Sequence, residues 1–214
     1  GSIAGINVKR VITGRAILIV PCVNPDGAEI SINGVSNAGN AARNIIKLSR
    51  GDTQHWNANI RGVDINHNFD AGWEELHRLE IENGIHGPAP TRYGGPRPFS
   101  EPESVAIKNL CETVRIRHAL AFHSQGEVIY WQYDNFKPAR SQKMAEIMAT
   151  SSGYALDVPL GLAVGGGFKD WFIKTYNRPA FTVEVGSGQN PLPITDTEQI
   201  YNRIKEMLIL SVAM

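Results

Sequence analysis

The chain has 214 residues, 42% hydrophobic and 20% charged, with 21 Lys+Arg against 21 Asp+Glu and so a formal charge of zero. That length supports a sizeable core, and evenly interspersed charge excludes the basic footprint of a nucleic-acid or anionic-membrane binder. No apolar run approaches the roughly 18–20 residues of a membrane span. Cys22 and Cys111 form no Cys-x-x-Cys pair and read as two buried free thiols, not a disulfide or a zinc-thiolate site.

No repeat, low-complexity tract or linker interrupts residues 1–214, which read as one domain. Ala16-Ile17-Leu18-Ile19-Val20 is an unbroken apolar run, the pattern of a strand covered on both faces. It stops at the turn signal Asn24-Pro25-Asp26-Gly27. Helices are predicted over residues 40–48 and 73–83, the second closed by Gly84. A Gly/Pro-rich loop follows over residues 86–98. Ser100-Glu101-Pro102-Glu103 reads as a capping box opening a helix to about residue 116. Strands are predicted over residues 118–123, 127–133 and 180–185. Helices are expected over 142–150 and 168–176, with an amphipathic closing helix over 196–212. Alternating strands and helices predict an α/β fold: a mostly parallel or mixed twisted sheet with helices on both faces.

Two strand ends carry candidate chemistry. Ala119-Leu120-Ala121-Phe122-His123-Ser124 is an apolar strand ending in a histidine, and ligands in open α/β sheets collect beyond the carboxyl ends of strands. In Phe181-Thr182-Val183-Glu184-Val185, alternation puts Phe181, Val183 and Val185 on one face and Glu184 on the other. A carboxylate at the end of a buried strand must be paired, sit near a metal or hold its proton, and such a group can be tuned as a general acid or base.

Asn24-Pro25-Asp26-Gly27, the segment from Gly62 to Phe69, the Ser100–Glu103 segment, His123-Ser124, Asp170-Trp171 and Thr182-Val183-Glu184 occur in one order. In that order the chain resembles the zinc carboxypeptidase family over nearly its whole length. The resemblance implies metal-assisted amide hydrolysis with Zn2+ as cofactor. By position, His123 matches the third zinc ligand, Glu184 the general acid/base, and Asn66 the asparagine that contacts a substrate carboxylate.

Four positions depart from that pattern. His67 stands where the family's clamp for a C-terminal carboxylate is an arginine, and imidazole lacks the bidentate guanidinium fork. Asn57 stands at the arginine that steadies the oxyanion; Arg61, nearby, could substitute, or be an ordinary surface arginine. No tyrosine is visible where the family's mobile active-site tyrosine falls. The His-x-x-Glu motif carrying the first two zinc ligands belongs upstream of Asn24, and the chain starts too late to contain it. One such string, His77-Arg78-Leu79-Glu80, lies in the wrong place and reads as a solvated helix face. Two of three zinc ligands are thus expected to be absent, and the resemblance then implies weak zinc binding and little hydrolysis by these residues alone.

The loop around Arg92 and Arg97, the His67 exchange and Gly165-Gly166-Gly167-Phe168-Lys169-Asp170-Trp171 are most similar to bacterial γ-D-glutamyl-L-diamino acid endopeptidases. That resemblance implies a peptide or muropeptide substrate, contacted by Asn66, His67, Ser124 and Arg92, with neither nucleic acid nor membrane as partner. It implies a bacterial protein acting at the wall or on imported wall peptides. Two alternatives are an inactive muropeptide-binding relative and a conventional zinc carboxypeptidase.

Overall fold

A computed structural model describes all 214 residues. In chain order the elements are β1 (Ser2–Ile3), β2 (Ile6–Asn7), α1 (Val8–Ile12), α2 (Pro25–Asn33), α3 (Ala42–Ser49), α4 (Trp73–Glu82), α5 (Pro102–Thr113), β3 (Ala119–His123), β4 (Val128–Tyr130), α6 (Ser141–Ser152), β5 (Ala155–Leu156), α7 (Phe168–Tyr176), β6 (Ala180–Glu184) and α8 (Thr197–Ala213). The chain forms two compact units. The first comprises Gly1–Val20, His118–Val158 and Asn177–Met214; the second comprises Pro21–Arg117 and Pro159–Tyr176.

The first unit holds a four-stranded sheet in the order β3-β6-β4-β5. β3 runs parallel to β6, β4 antiparallel to β6, and β5 parallel to β4, so the sheet is mixed. Phe181 and Val183 of β6 pack with Ile129, with Met144 and Met148 of α6, and with Ile204 and Met207 of α8. The period of two then places Thr182 and Glu184 on the opposite face of β6. β1 and β2 form a separate antiparallel pair beside α1 and α8.

The second unit is helical with long ordered loops. Ile30, Ala38, Ile45, Trp56 and Ala58 make one core cluster. Phe69 lies edge-on to Phe99 and Phe168 and 5.6 Å, centroid to centroid, from Trp171. The fully buried Asn68 ties the loops together. Its Nδ2 donates to the carbonyls of Gly94 and Arg97 and to Ser100 Oγ, while its Oδ1 accepts from Glu101 N and Ser104 Oγ. At the start of α7, Phe168 N donates to Asn66 Oδ1 and Gly165 N to Asp170 Oδ2. Gly166, at φ +65°, runs so close to its neighbours that a Cβ would fall 2.3 Å from Leu76 Cδ2 and 2.9 Å from the His67 carbonyl.

The helices α3 to α8 and the strands β3, β4 and β6 fall where the pattern predicts them, within a few residues. Four expectations are corrected. Residues 16–20 are no strand: Ile17, Leu18, Ile19 and Val20 are 43–75% exposed, because a strand needs a hydrogen-bonding neighbour and neither sheet offers this segment one. Asn24-Pro25 opens a helix rather than a turn, with Asn24 Oδ1 accepting from Gly27 N and Pro25 in the first helical turn, where its missing N–H costs nothing. The capping box does not form. Glu101 is the N-cap of α5 without a capping side-chain bond, because its carboxylate is committed elsewhere. Cys22 and Cys111 are both free thiols as expected, but only Cys111 is buried.

Candidate active site

In the first unit, His123 and Glu184 are register partners at the carboxyl ends of β3 and β6. Both are half-buried. The parallel register places them at one level, a consequence of two apolar strands ending together. Burial pushes the Glu184 carboxyl up to about 7. Across β6, Val128 is opposite Glu184 and Tyr130 opposite Thr182. Burial, and then the charges of Glu184 and Asp157, raise the Tyr130 hydroxyl above the usual phenol range. Ser124 is exposed immediately past β3, and its carbonyl accepts from Asn190 Nδ2 at 2.8 Å.

In the second unit, Arg61 is held at two points by Glu101: Nε to Oε2 at 2.9 Å and Nη2 to Oε1 at 2.6 Å. Nη2 also reaches the Ser100 carbonyl. The guanidinium is therefore fixed, with Nη1 outside the pair and the side chain 57% exposed. Glu101 is fully buried. Burial pushes its carboxyl up, but hydrogen bonds from Arg61, Asn59 and Ser100, with the Arg61 charge, outweigh it and hold the group below its ordinary value.

Asn66 and His67 lie on a 3-10 turn, Ile65–His67, capped by Asp64 Oδ1 accepting from Asn66 N. Asp64 Oδ2 also accepts from Arg92 N at 2.8 Å, so one carboxylate fixes both the turn and the Arg92 loop. Arg92 is exposed and sits at φ +66°. Asn66 is anchored by Oδ1 on α7. The His67 ring is buried, with Nδ1 2.9 Å from Glu80 Oε1.

Glu80 corrects the reading of the His77–Glu80 string as a solvated face, since its carboxylate is wholly buried. A helix exposes its face only where nothing packs on it, and here the Gly94 loop and the His67 turn both do. The residues that composition and pattern missed are Glu80, Glu101 and Asn68. Each is an ordinary polar letter in sequence. For Asn68 and Glu101 the available signal was their place beside Gly- and Pro-containing loop segments, whose buried backbone needs polar partners; Glu80, within α4, carried no such signal.

A mixed α/β sheet with a histidine and a glutamate at adjacent strand ends defines the class, and the comparisons define it further. The chain belongs to the zinc carboxypeptidase family, matching it over residues 5–209. It is 41% identical over 204 residues to γ-D-glutamyl-L-diamino acid endopeptidase 1 of Lysinibacillus sphaericus, covering 94% of this chain and 50% of that protein. Among solved structures, carboxypeptidase A from Helicoverpa armigera superposes with a TM-score of 0.63 at 20% identity, over 91% of this chain and 49% of that one. Murein-tripeptide amidase MpaA from Escherichia coli O157 gives 0.52 at 21% identity, over 90% and 65%. The mixed α/β, carboxypeptidase-like fold expected from the sequence is thus the fold found. The chain spans about half the length of the curated relatives it matches.

The family implies zinc, and a catalytic zinc takes about three protein ligands plus water. No group of three His, Cys, Asp or Glu side chains is placed to hold a metal ion. The donor set within these residues therefore does not by itself fit a catalytic zinc.

Proposed function

We propose that the protein hydrolyses the γ-D-glutamyl–diamino acid bond of bacterial cell-wall stem peptides. The observation that carries this reading is the pairing of His123 with Glu184 at the ends of parallel neighbours, in a chain 41% identical to an endopeptidase named for that bond. Glu184 takes the proton of the attacking water and delivers it to the leaving amine. The fixed guanidinium of Arg61 steadies the oxyanion with Nη1. Asn66, His67, Arg92 and Ser124 contact the substrate, whose extra carboxylates match the replacement of an arginine clamp by His67. By the family resemblance, His123 stands at a zinc-ligand position.

The test is hydrolysis of a γ-D-Glu–diaminopimelate peptide by the full-length, zinc-supplied protein, beside Glu184→Gln and chelator-treated samples. Cleavage at the γ-glutamyl bond, lost in both controls, supports the reading. Release of C-terminal residues from ordinary peptides would indicate a conventional carboxypeptidase instead. Binding of the peptide without turnover would leave a muropeptide-binding relative.

A further inference from the structure

Glu80 is an unusual group to find at the centre of a helical unit. It is fully buried on α4, and its two oxygens are shared among three donors. Oε1 meets His67 Nδ1 at 2.9 Å; Oε2 meets His77 Nδ1 at 3.0 Å and Gly94 N at 3.2 Å. Trp73 stacks on the His77 ring at 4.6 Å and 12°, and its Nε1 donates to the Gly94 carbonyl, closing the pocket from the side of α4. Gly94 is required there, because a Cβ would fall 2.6 Å from the His67 carbonyl, 2.9 Å from Trp73 Nε1 and 3.1 Å from Glu80 Oε1.

Glu80 accepts from the Gly94 N–H, and as the acceptor of the His67 contact as well it assigns that proton to Nδ1. The ring has no other hydrogen bond within the protein, and its side chain keeps 11% exposure. Nε2 is the pole left over: an acceptor when the ring is neutral, a second donor when it is charged. Four charged or titratable groups bear on this ring: Glu80 from α4, Asp64 from its own turn, Arg92 from the following loop, and His77 through the shared carboxylate. Burial pushes the His67 imidazolium toward losing its proton and Arg92 does the same, but the Glu80 hydrogen bond and the Asp64 and Glu80 charges outweigh them, so the ring titrates above its ordinary value.

We propose that Glu80 is the positioning residue for His67, holding the imidazole by Nδ1–H so that Nε2 is turned to the substrate and, when the ring is charged, donates to a carboxylate there. The proposal rests on the reading of His67 as a substrate contact. Where a carboxypeptidase-type site would use a guanidinium fork, a carboxylate–imidazolium pair supplies one directed, charge-assisted donor. The second histidine and the Gly94 N–H keep the Glu80 carboxylate in place when it polarises toward His67.

The test combines ring-nitrogen NMR with kinetics on the full-length protein. The expected spectrum shows His67 protonated at Nδ1 at high pH, with a titration midpoint that falls in Glu80→Gln. The same variant should raise KM for a γ-D-Glu–diaminopimelate peptide about tenfold with kcat little changed, and Glu80→Asp should recover part of the loss. An Nε2–H tautomer in the parent protein overturns the proposal, and that measurement stands even if Glu80→Gln fails to fold. An unchanged midpoint and KM in folded Glu80→Gln also overturns it. If the tautomer is as expected but His67→Ala leaves KM unaltered, the positioning role is overturned. Absence of any turnover by the parent protein instead overturns the proposed function, and the Glu80–His67 pairing is then read from the NMR alone.

Discussion

His123 and Glu184 face each other across the β3–β6 ladder at the last residue of each strand. Two side chains set by a five-residue parallel register are held more precisely than two set by loops, as the role proposed for them requires. Replacing Glu184 with Gln is expected to lower kcat/KM about 10²–10⁴-fold, the usual contribution of a general acid/base. The same change should raise the thermal midpoint in the absence of zinc, because a half-buried carboxylate is costly to ionise and an amide of the same shape is not. Loss of activity accompanied by a lower midpoint would count against a tuned catalytic carboxylate.

The Arg61–Glu101 pair gives a stability prediction with a definite pH sense. Arg61→Ala leaves a fully buried carboxylate short of its main partner, at a cost of about 2 kcal/mol at neutral pH, below the usual range for buried pairs because Arg61 is half exposed and Asn59 remains. The folded-state pKa of Glu101 lies below its ordinary value of 4.5. The stability it contributes is therefore present above that value and lost as pH falls through the lower, folded-state one. Acid unfolding of the parent should be steep in that window, and Arg61→Ala should unfold at higher pH. Circular dichroism against pH checks both.

Gly94→Ala should destabilise the second unit by about 1–3 kcal/mol, since the added methyl would fall within 3.1 Å of the His67 carbonyl, the Trp73 indole nitrogen and the Glu80 carboxylate. Chemical denaturation compared with Gly84→Ala, where a Cβ meets open space although φ is +82°, separates crowding from backbone strain. A larger loss at Gly84 than at Gly94 would refute the crowding account.

Phe181 anchors the first unit. It is fully buried between α6 and α8, so Phe181→Ala should cost about 3–5 kcal/mol. On the opposite face of the same strand, the near-isosteric Thr182→Val should change stability far less, and equal losses from the two would contradict the anchoring of Phe181 against α6 and α8.

Much of this was legible in the letters. Phe168–Tyr176 and the strand Ala180–Glu184 have apolar spacing that fits one secondary structure only, and both are found where that spacing puts them. The exposed Ala16-Ile17-Leu18-Ile19-Val20 segment shows the limit. Its composition suits a buried strand, yet strand formation is a property of two segments, and composition describes one. Ser100 to Glu103 shows another limit: a capping box is a local bond, and the Glu101 carboxylate instead answers Arg61, 40 residues away in sequence.

Sequence alone determined the family, the order of the main helices and strands, and the candidacy of His123 and Glu184, because strand ends and apolar periods are local and a family's motifs keep their order. It also marked His67 as a departure. Only the tertiary structure decided what His67 and Arg61 do with their polar atoms. Glu80 is 13 residues from His67, and Glu101 is 40 from Arg61. A buried carboxylate finds its partner by desolvation and distance in three dimensions, and neither quantity is written in the chain.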